Sequence, residues 1–188
     1  MDEVLAFTFT PDEEGYLMAP RRKEDFHLWF EEYECLLNIY KRKNLDNFLA
    51  YLSEECEPVV FSAGVSSYVH LVMGLIDPAR RIKHILTQEH CDRIIEEESD
   101  IDEYVKDLNL LGRDMSKVVY IDSKPMSFWL HPENGLCWEE FKADNTMKYE
   151  DLDEMLLEIE ECRKYKDVRE YLLKEYSIRE DFEATDLL

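Results

Sequence analysis

Long apolar runs are missing from this sequence: no stretch approaches the ~20 consecutive apolar residues needed to cross a bilayer, so no membrane-spanning helix is expected. Positive charge is scarce. Twenty-two Lys and Arg face forty-four Asp and Glu, and the resulting net charge of −22 repels phosphate backbones and anionic membrane surfaces, which argues against nucleic acid as a ligand. Paired cysteines are absent too. The five present, Cys35, Cys56, Cys91, Cys137 and Cys162, are odd in number, widely spaced and without a Cys-x-x-Cys, so neither a disulfide framework nor a zinc site is indicated. A reducing compartment is the simplest setting. The opening Met1-Asp2-Glu3 lacks the basic, Ser-rich character of a presequence, and no internal repeat or low-complexity linker interrupts the chain.

What remains is enough for one folded unit. In 188 residues, 45% apolar and 12% aromatic content supports a single sizeable core, expected over residues 1–176 with an acidic tail at 177–188. The acidic surplus is mostly a solvated surface. It would also attract basic proteins over about 8 Å at physiological salt.

Strand-like and helix-like segments alternate along the chain. Val4 to Phe9 is a short β-branched and aromatic run, and Phe26 to Tyr40 reads as either a helix or a strand pair. Leu45, Phe48, Leu49 and Leu52 recur at helical spacing; Glu57-Pro58 ends that helix before the strand Val59-Val60-Phe61. A second helix runs to Ile76 and stops at Asp77-Pro78, and a short strand is expected over Ile82 to Leu86. The acidic segment Asp92 to Glu103 reads as a loop or ragged hairpin without the rhythm of a calcium loop. Val118 to Ile121 is an apolar strand ending at Asp122. Two helices follow, striped by Leu152, Met155, Leu156 and Ile159 and then by Val168, Leu172 and Tyr176. Strands separated by helices imply an α/β fold with a mostly parallel sheet.

In such a sheet, chemistry gathers at the carboxyl ends of the strands. Three ends stand out: Thr8-Phe9-Thr10, Ser62-Ala63-Gly64 and Asp122-Ser123, with Lys106 between the last two. Taken singly, each is an ordinary turn or cap.

Longer phrases carry a resemblance. Tyr40 to Leu49, Val59 to Gly64, Leu75 to Pro78, Glu89-His90-Cys91 and the block from Lys106 through Gly112-Arg113-Asp114 to His131-Pro132-Glu133-Asn134-Gly135 resemble the small C-terminal-domain phosphatases and their NIF relatives. These belong to the haloacid dehalogenase superfamily, which implies a three-layer α/β fold with helices flanking the sheet. In that family the first strand ends in Asp-x-Asp-x-Thr or Val, the first aspartate attacking phosphorus and binding magnesium, the second acting as general acid.

On this resemblance the two aspartate places fall to Thr8 and Thr10, while Ser62, Lys106 and Asp122 match the phosphate pocket and Ser123 replaces a metal ligand. Neutral hydroxyls leave a magnesium site with one carboxylate, so no metal and no cofactor are expected. Threonine needs an adjacent base to act as a nucleophile, and Thr10 is not one. Asp12 with Glu14 is an alternative acidic pair, disfavoured because Pro11 places both in a loop. Without phosphoaspartate, Lys106 is expected to pair with Asp122. The resemblance thus implies a phosphatase-like domain without phosphatase activity, a protein-binding or structural subunit of a larger assembly. Relatives include a mitochondrial inner-membrane translocase subunit, so a mitochondrial setting stands beside cytoplasm and nucleus. A magnesium-dependent Ser/Thr phosphatase and a phosphopeptide-binding pseudoenzyme stay open as alternatives.

Overall fold

The structure is a computed structural model, and it describes residues 1–11, 20, 22–96, 101–143, 151–176 and 178. The alternative pair Asp12 and Glu14 lies outside the described residues, as does the chain end apart from Ile178.

Three strands form an antiparallel sheet in the order β1 (Ala6–Phe9), β3 (Cys35–Lys41), β2 (Phe26–Phe30). Phe7 pairs with Tyr40 and Phe26 with Ile39. The undecided segment from Phe26 to Tyr40 is therefore a hairpin. Its side chains alternate: Phe26, Leu28 and Phe30 pack toward the core while His27 and Trp29 face out. A tight turn over Glu31–Tyr33 closes it, with Glu34 in the left-handed region. The first strand departs from expectation here. β1 runs antiparallel to β3, so Thr8 and Thr10 do not sit at the carboxyl edge of a parallel ladder.

Parallel pairing lies elsewhere. After α1 (Leu45–Glu55) comes β4 (Val59–Phe61), which leads through α2 (Ser66–Ile76) to β5 (His84–Leu86) and pairs with it in parallel. The buried Asp77 carboxylate ends this crossover by accepting the Ile82 N–H at 2.9 Å. The acidic segment is a hairpin, β6 (Asp92–Glu96) with β7 (Ile101–Val105). β8 (Tyr120–Asp122) pairs in parallel with β9 (Gly135–Cys137). β8 begins two residues later than the apolar run because a turn over Met115–Lys117 holds Val118.

α3 (Asp153–Arg163) and α4 (Val168–Glu175) close the body. Leu152, Met155, Ile159, Val168 and Leu172 join α1 and α2 residues Phe48, Leu49, Val69 and Val72 in one core. The apolar stripes read from the sequence are core packing. A second cluster, Phe61, Leu108, Tyr120, Phe128 and Ile178, lies beneath the ends of β4 and β8. Ile178 is buried in this second cluster.

Candidate functional site

Lys106 follows β7 and Asp122 ends β8, and the two meet inside the protein. The Lys106 ammonium lies 2.7 Å from Asp122 Oδ2 with both side chains nearly closed to solvent. Tyr120, two residues before Asp122 on the same strand face, completes a triangle. Lys106 donates to the Tyr120 hydroxyl at 2.8 Å, and that hydroxyl donates to Asp122 Oδ2 at 3.0 Å. The other Asp122 oxygen accepts the Lys124 N–H at 3.1 Å. Burial alone would raise the Asp122 pKa, but the Lys106 charge, the Met1 amino group and the hydrogen bonds from Lys106 and the Lys124 N–H bring it down to about 2. Burial and the neighbouring carboxylate push the Tyr120 phenol far up, so it stays a neutral donor.

Ser62 directly follows β4 and is buried, its Oγ accepting the Gly64 N–H at 3.1 Å. Cys91 links it to the triangle: its thiol reaches the Ser62 carbonyl at 3.7 Å and lies within range of the Lys106 charge.

The remaining wall comes from the first residues of the chain. Ser123 Oγ donates to Glu3 Oε2 at 3.0 Å, and burial pushes the Glu3 carboxyl up despite the Lys124 charge and this hydrogen bond. Glu3 is held in the left-handed region, its N–H on the Ala6 carbonyl and its own carbonyl accepting the Phe141 N–H, each at 2.7 Å. Tyr68 donates its hydroxyl to Asp2 Oδ1 at 2.6 Å and takes a hydrogen bond from Thr8 across 2.7 Å. The Met1 amino group is buried within reach of the charges on Asp122, Asp2, Lys106 and Glu3.

Lys106 and Asp122 thus meet directly, Ser123 follows Asp122 in the chain, and Ser62 approaches them through Cys91. Thr8 joins only through Tyr68, and Thr10 is exposed beyond the end of β1. Reasoning from the sequence missed Asp2, Glu3, Tyr68 and Tyr120. A signal for the first two was present: Asp2-Glu3-Val4 reads as the second half of Asp-x-Asp-x-Val, but it precedes the apolar run that was searched for a strand end. His90 caps its own turn by accepting the Thr87 N–H at 3.1 Å, and His131 pairs with Asp107 at 2.9 Å. Both are structural contacts.

The donor set does not fit a resident magnesium ion. Both Asp122 oxygens are already engaged, and the neighbouring place holds the neutral Ser123 hydroxyl turned to Glu3. Among the described residues, no three His, Cys, Asp or Glu side chains converge as a metal site requires.

The family model for the NLI interacting factor-like phosphatase matches residues 1–169. The chain belongs to this NIF family. CTD small phosphatase-like protein 2 of Dictyostelium discoideum is 28% identical over 179 residues, covering 95% of this chain and 29% of that protein. A probable C-terminal domain small phosphatase of the same organism is 33% identical over 134 residues, 70% of this chain and 40% of its own length. The mitochondrial import inner membrane translocase subunit TIM50 of Kluyveromyces lactis is 36% identical over 113 residues, 57% of this chain and 22% of that protein. The NIF chain therefore spans well under half the length of these relatives.

Solved structures agree on the fold. Fission yeast Fcp1, an RNA polymerase II CTD phosphatase bound to beryllium fluoride, superposes with a TM-score of 0.55 at 18% identity, covering 93% of this chain and 52% of that one. The NIF chain has a haloacid-dehalogenase-like α/β fold. Among the described residues, no helix is long and apolar enough to cross a membrane.

Proposed function

We propose that the 188-residue chain is a NIF domain that binds protein within a larger assembly and does not hydrolyse phosphate. One observation carries this reading. The cation that would balance a phosphoryl group is held in a buried triangle by Asp122 and Tyr120, and the neighbouring Ser123 is turned to Glu3. A phosphoryl group entering there would compete with an internal carboxylate for Lys106, and desolvated like charges oppose it. TIM50, a translocase subunit by its name, is a relative consistent with this reading. A native pull-down followed by gel filtration tests the assembly. Recovery in a stoichiometric complex supports it, and a monomer in every fraction contradicts it.

A second reading is favoured by Asp2. In the Asp-x-Asp-x-Thr/Val pattern, Asp2 and Val4 take the second-aspartate and final places, and the pocket then belongs to a metal-dependent Ser/Thr phosphatase of the kind the Dictyostelium relatives are named for. The nucleophile's place then falls ahead of residue 1, outside the sequence, and Thr8 and Thr10 carry no information about it. A chain carrying a single Asp directly ahead of Met1, so that Asp-Met1-Asp2-Glu3-Val4 restores the pattern, together with Ser123→Asn separates the readings. Magnesium-dependent turnover in that variant supports the second, and no turnover in a folded variant supports the first.

A further inference from the structure

Many acidic side chains of this protein are answered by a basic neighbour: Glu55 and Glu160 pair with Arg163, Glu57 with Arg113, Glu161 with Lys164 and Asp167 with Arg169. The β2–β3 hairpin differs. Residues 24–40 hold five carboxylates and no lysine or arginine. Asp25, at the open end, is taken by Arg22, but Glu31, Glu32 and Glu34 are all exposed at the closed end and have no ion-pair partner among the described residues.

The same end carries open aromatic surface. Trp29 is 53% and Tyr33 54% exposed, and among the described residues they are the only aromatic rings in the exposed apolar surface. Trp29 stands on the outer face of the sheet, across from the half-buried Leu36. Tyr33 stacks on Phe30 with ring centroids 5.4 Å apart, and Phe30 in turn packs against Tyr68 at 6.3 Å. Tyr33 is therefore held on one side while more than half of it meets solvent. Beyond β2, the sheet has no further strand among the described residues.

Covering two such rings favours association, since tryptophan and tyrosine are the side chains on which interface energy concentrates. The carboxylates decide what can cover them. A second copy of the chain brings a net charge of −22 and the same three glutamates, so self-association at this face is opposed, as is contact with nucleic acid or an anionic membrane. Lysine and arginine meet both demands: their cations lie over indole and phenol faces and pair with carboxylates, while their aliphatic stems cover apolar surface.

We propose that the closed end of the β2–β3 hairpin docks an extended, Lys- and Arg-rich segment of a partner protein. The open edge of β2 is the arrangement to which an extended segment adds. The proposal rests on the reading of the chain as a protein-binding domain and names the chemistry of its partner; it makes no use of the Lys106 pocket.

Fluorescence anisotropy of a labelled peptide of alternating Arg and Ser, mixed with the 188-residue chain at physiological ionic strength, provides the test. A dissociation constant of about 10–100 μM is expected. It should weaken about tenfold in Trp29→Ala/Tyr33→Ala and about tenfold in Glu31→Gln/Glu32→Gln/Glu34→Gln, which change only exposed side chains. Neutralising three exposed carboxylates on β7, α3 and α4, in Glu103→Gln/Glu154→Gln/Glu170→Gln, should leave it within about twofold. An equal loss in that last variant would mean general attraction to an acidic surface and would overturn the proposal. So would absent binding up to about 1 mM, equal binding of a peptide with Gln in place of Arg, or binding unchanged in the folded Trp29→Ala/Tyr33→Ala variant. Recovery of a stoichiometric assembly beside any of these failures sinks the docking surface and leaves the protein-binding reading standing.

Discussion

Lys106 and Asp122 form an ion pair with 2.7 Å between Nζ and Oδ2, inside a protein whose surface is overwhelmingly acidic. Removing one partner strands the other in a low-dielectric site. Lys106→Met is expected to lower stability by about 3–5 kcal/mol, measured by denaturant unfolding, whereas truncating an exposed pair such as Lys164–Glu161 should change it by less than about 1 kcal/mol.

Acid should weaken the same pair. Asp122 titrates near 4 in the unfolded chain and at about 2 in the folded one, so its contribution is fully present above about pH 4 and is lost as pH falls through 2. The amount is about 2–3 kcal/mol. Protonation of the other carboxylates acts on both proteins alike, so the stability gap between wild type and Asp122→Asn should narrow across that window, in unfolding curves collected at successive pH values.

The first residues, and not the end of β1, should matter to the site. Asp2→Ala removes the carboxylate acceptor of the part-buried Tyr68 hydroxyl, leaving Thr8 Oγ1 as its remaining partner, and is expected to cost about 0.5–1.5 kcal/mol. Thr10→Ala, at an exposed position, should stay within about 0.5 kcal/mol. Thermal melts of the two variants check the contrast.

Gly135 opens β9 where the second core cluster comes closest. A Cβ there would stand 2.6 Å from the Phe128 ring and 2.5 Å from Ile178. The ring is fully buried and has nowhere to withdraw. Gly135→Ala is expected to destabilise by about 1–3 kcal/mol, and calorimetry should show a lowered Tm with the fold retained.

Much of this was legible before the structure. Helical spacing located α1 and α2, Asp77-Pro78 marked a real stop, and the expected pairing of Lys106 with Asp122 is present. Phe26 to Tyr40 was ambiguous because Phe26 and Phe30 satisfy both a four-residue helical step and two strand steps; only cross-strand pairing with Ile39 and Cys35 resolves it. Tyr120 was hidden by an apolar strand, in which a phenol counts as bulk until a buried ammonium and carboxylate claim its hydroxyl. Thr8 misled because an apolar run directs attention forward to its end, while the polar wall of this pocket precedes the run at Asp2 and Glu3.

Hydrolysis of an aryl phosphate by the 188-residue chain, with magnesium and over a range of pH, tests the central claim most directly. Turnover equal to the protein-free blank, and equal in Asp122→Asn, is the predicted result. Magnesium-dependent turnover that Asp122→Asn abolishes would contradict it.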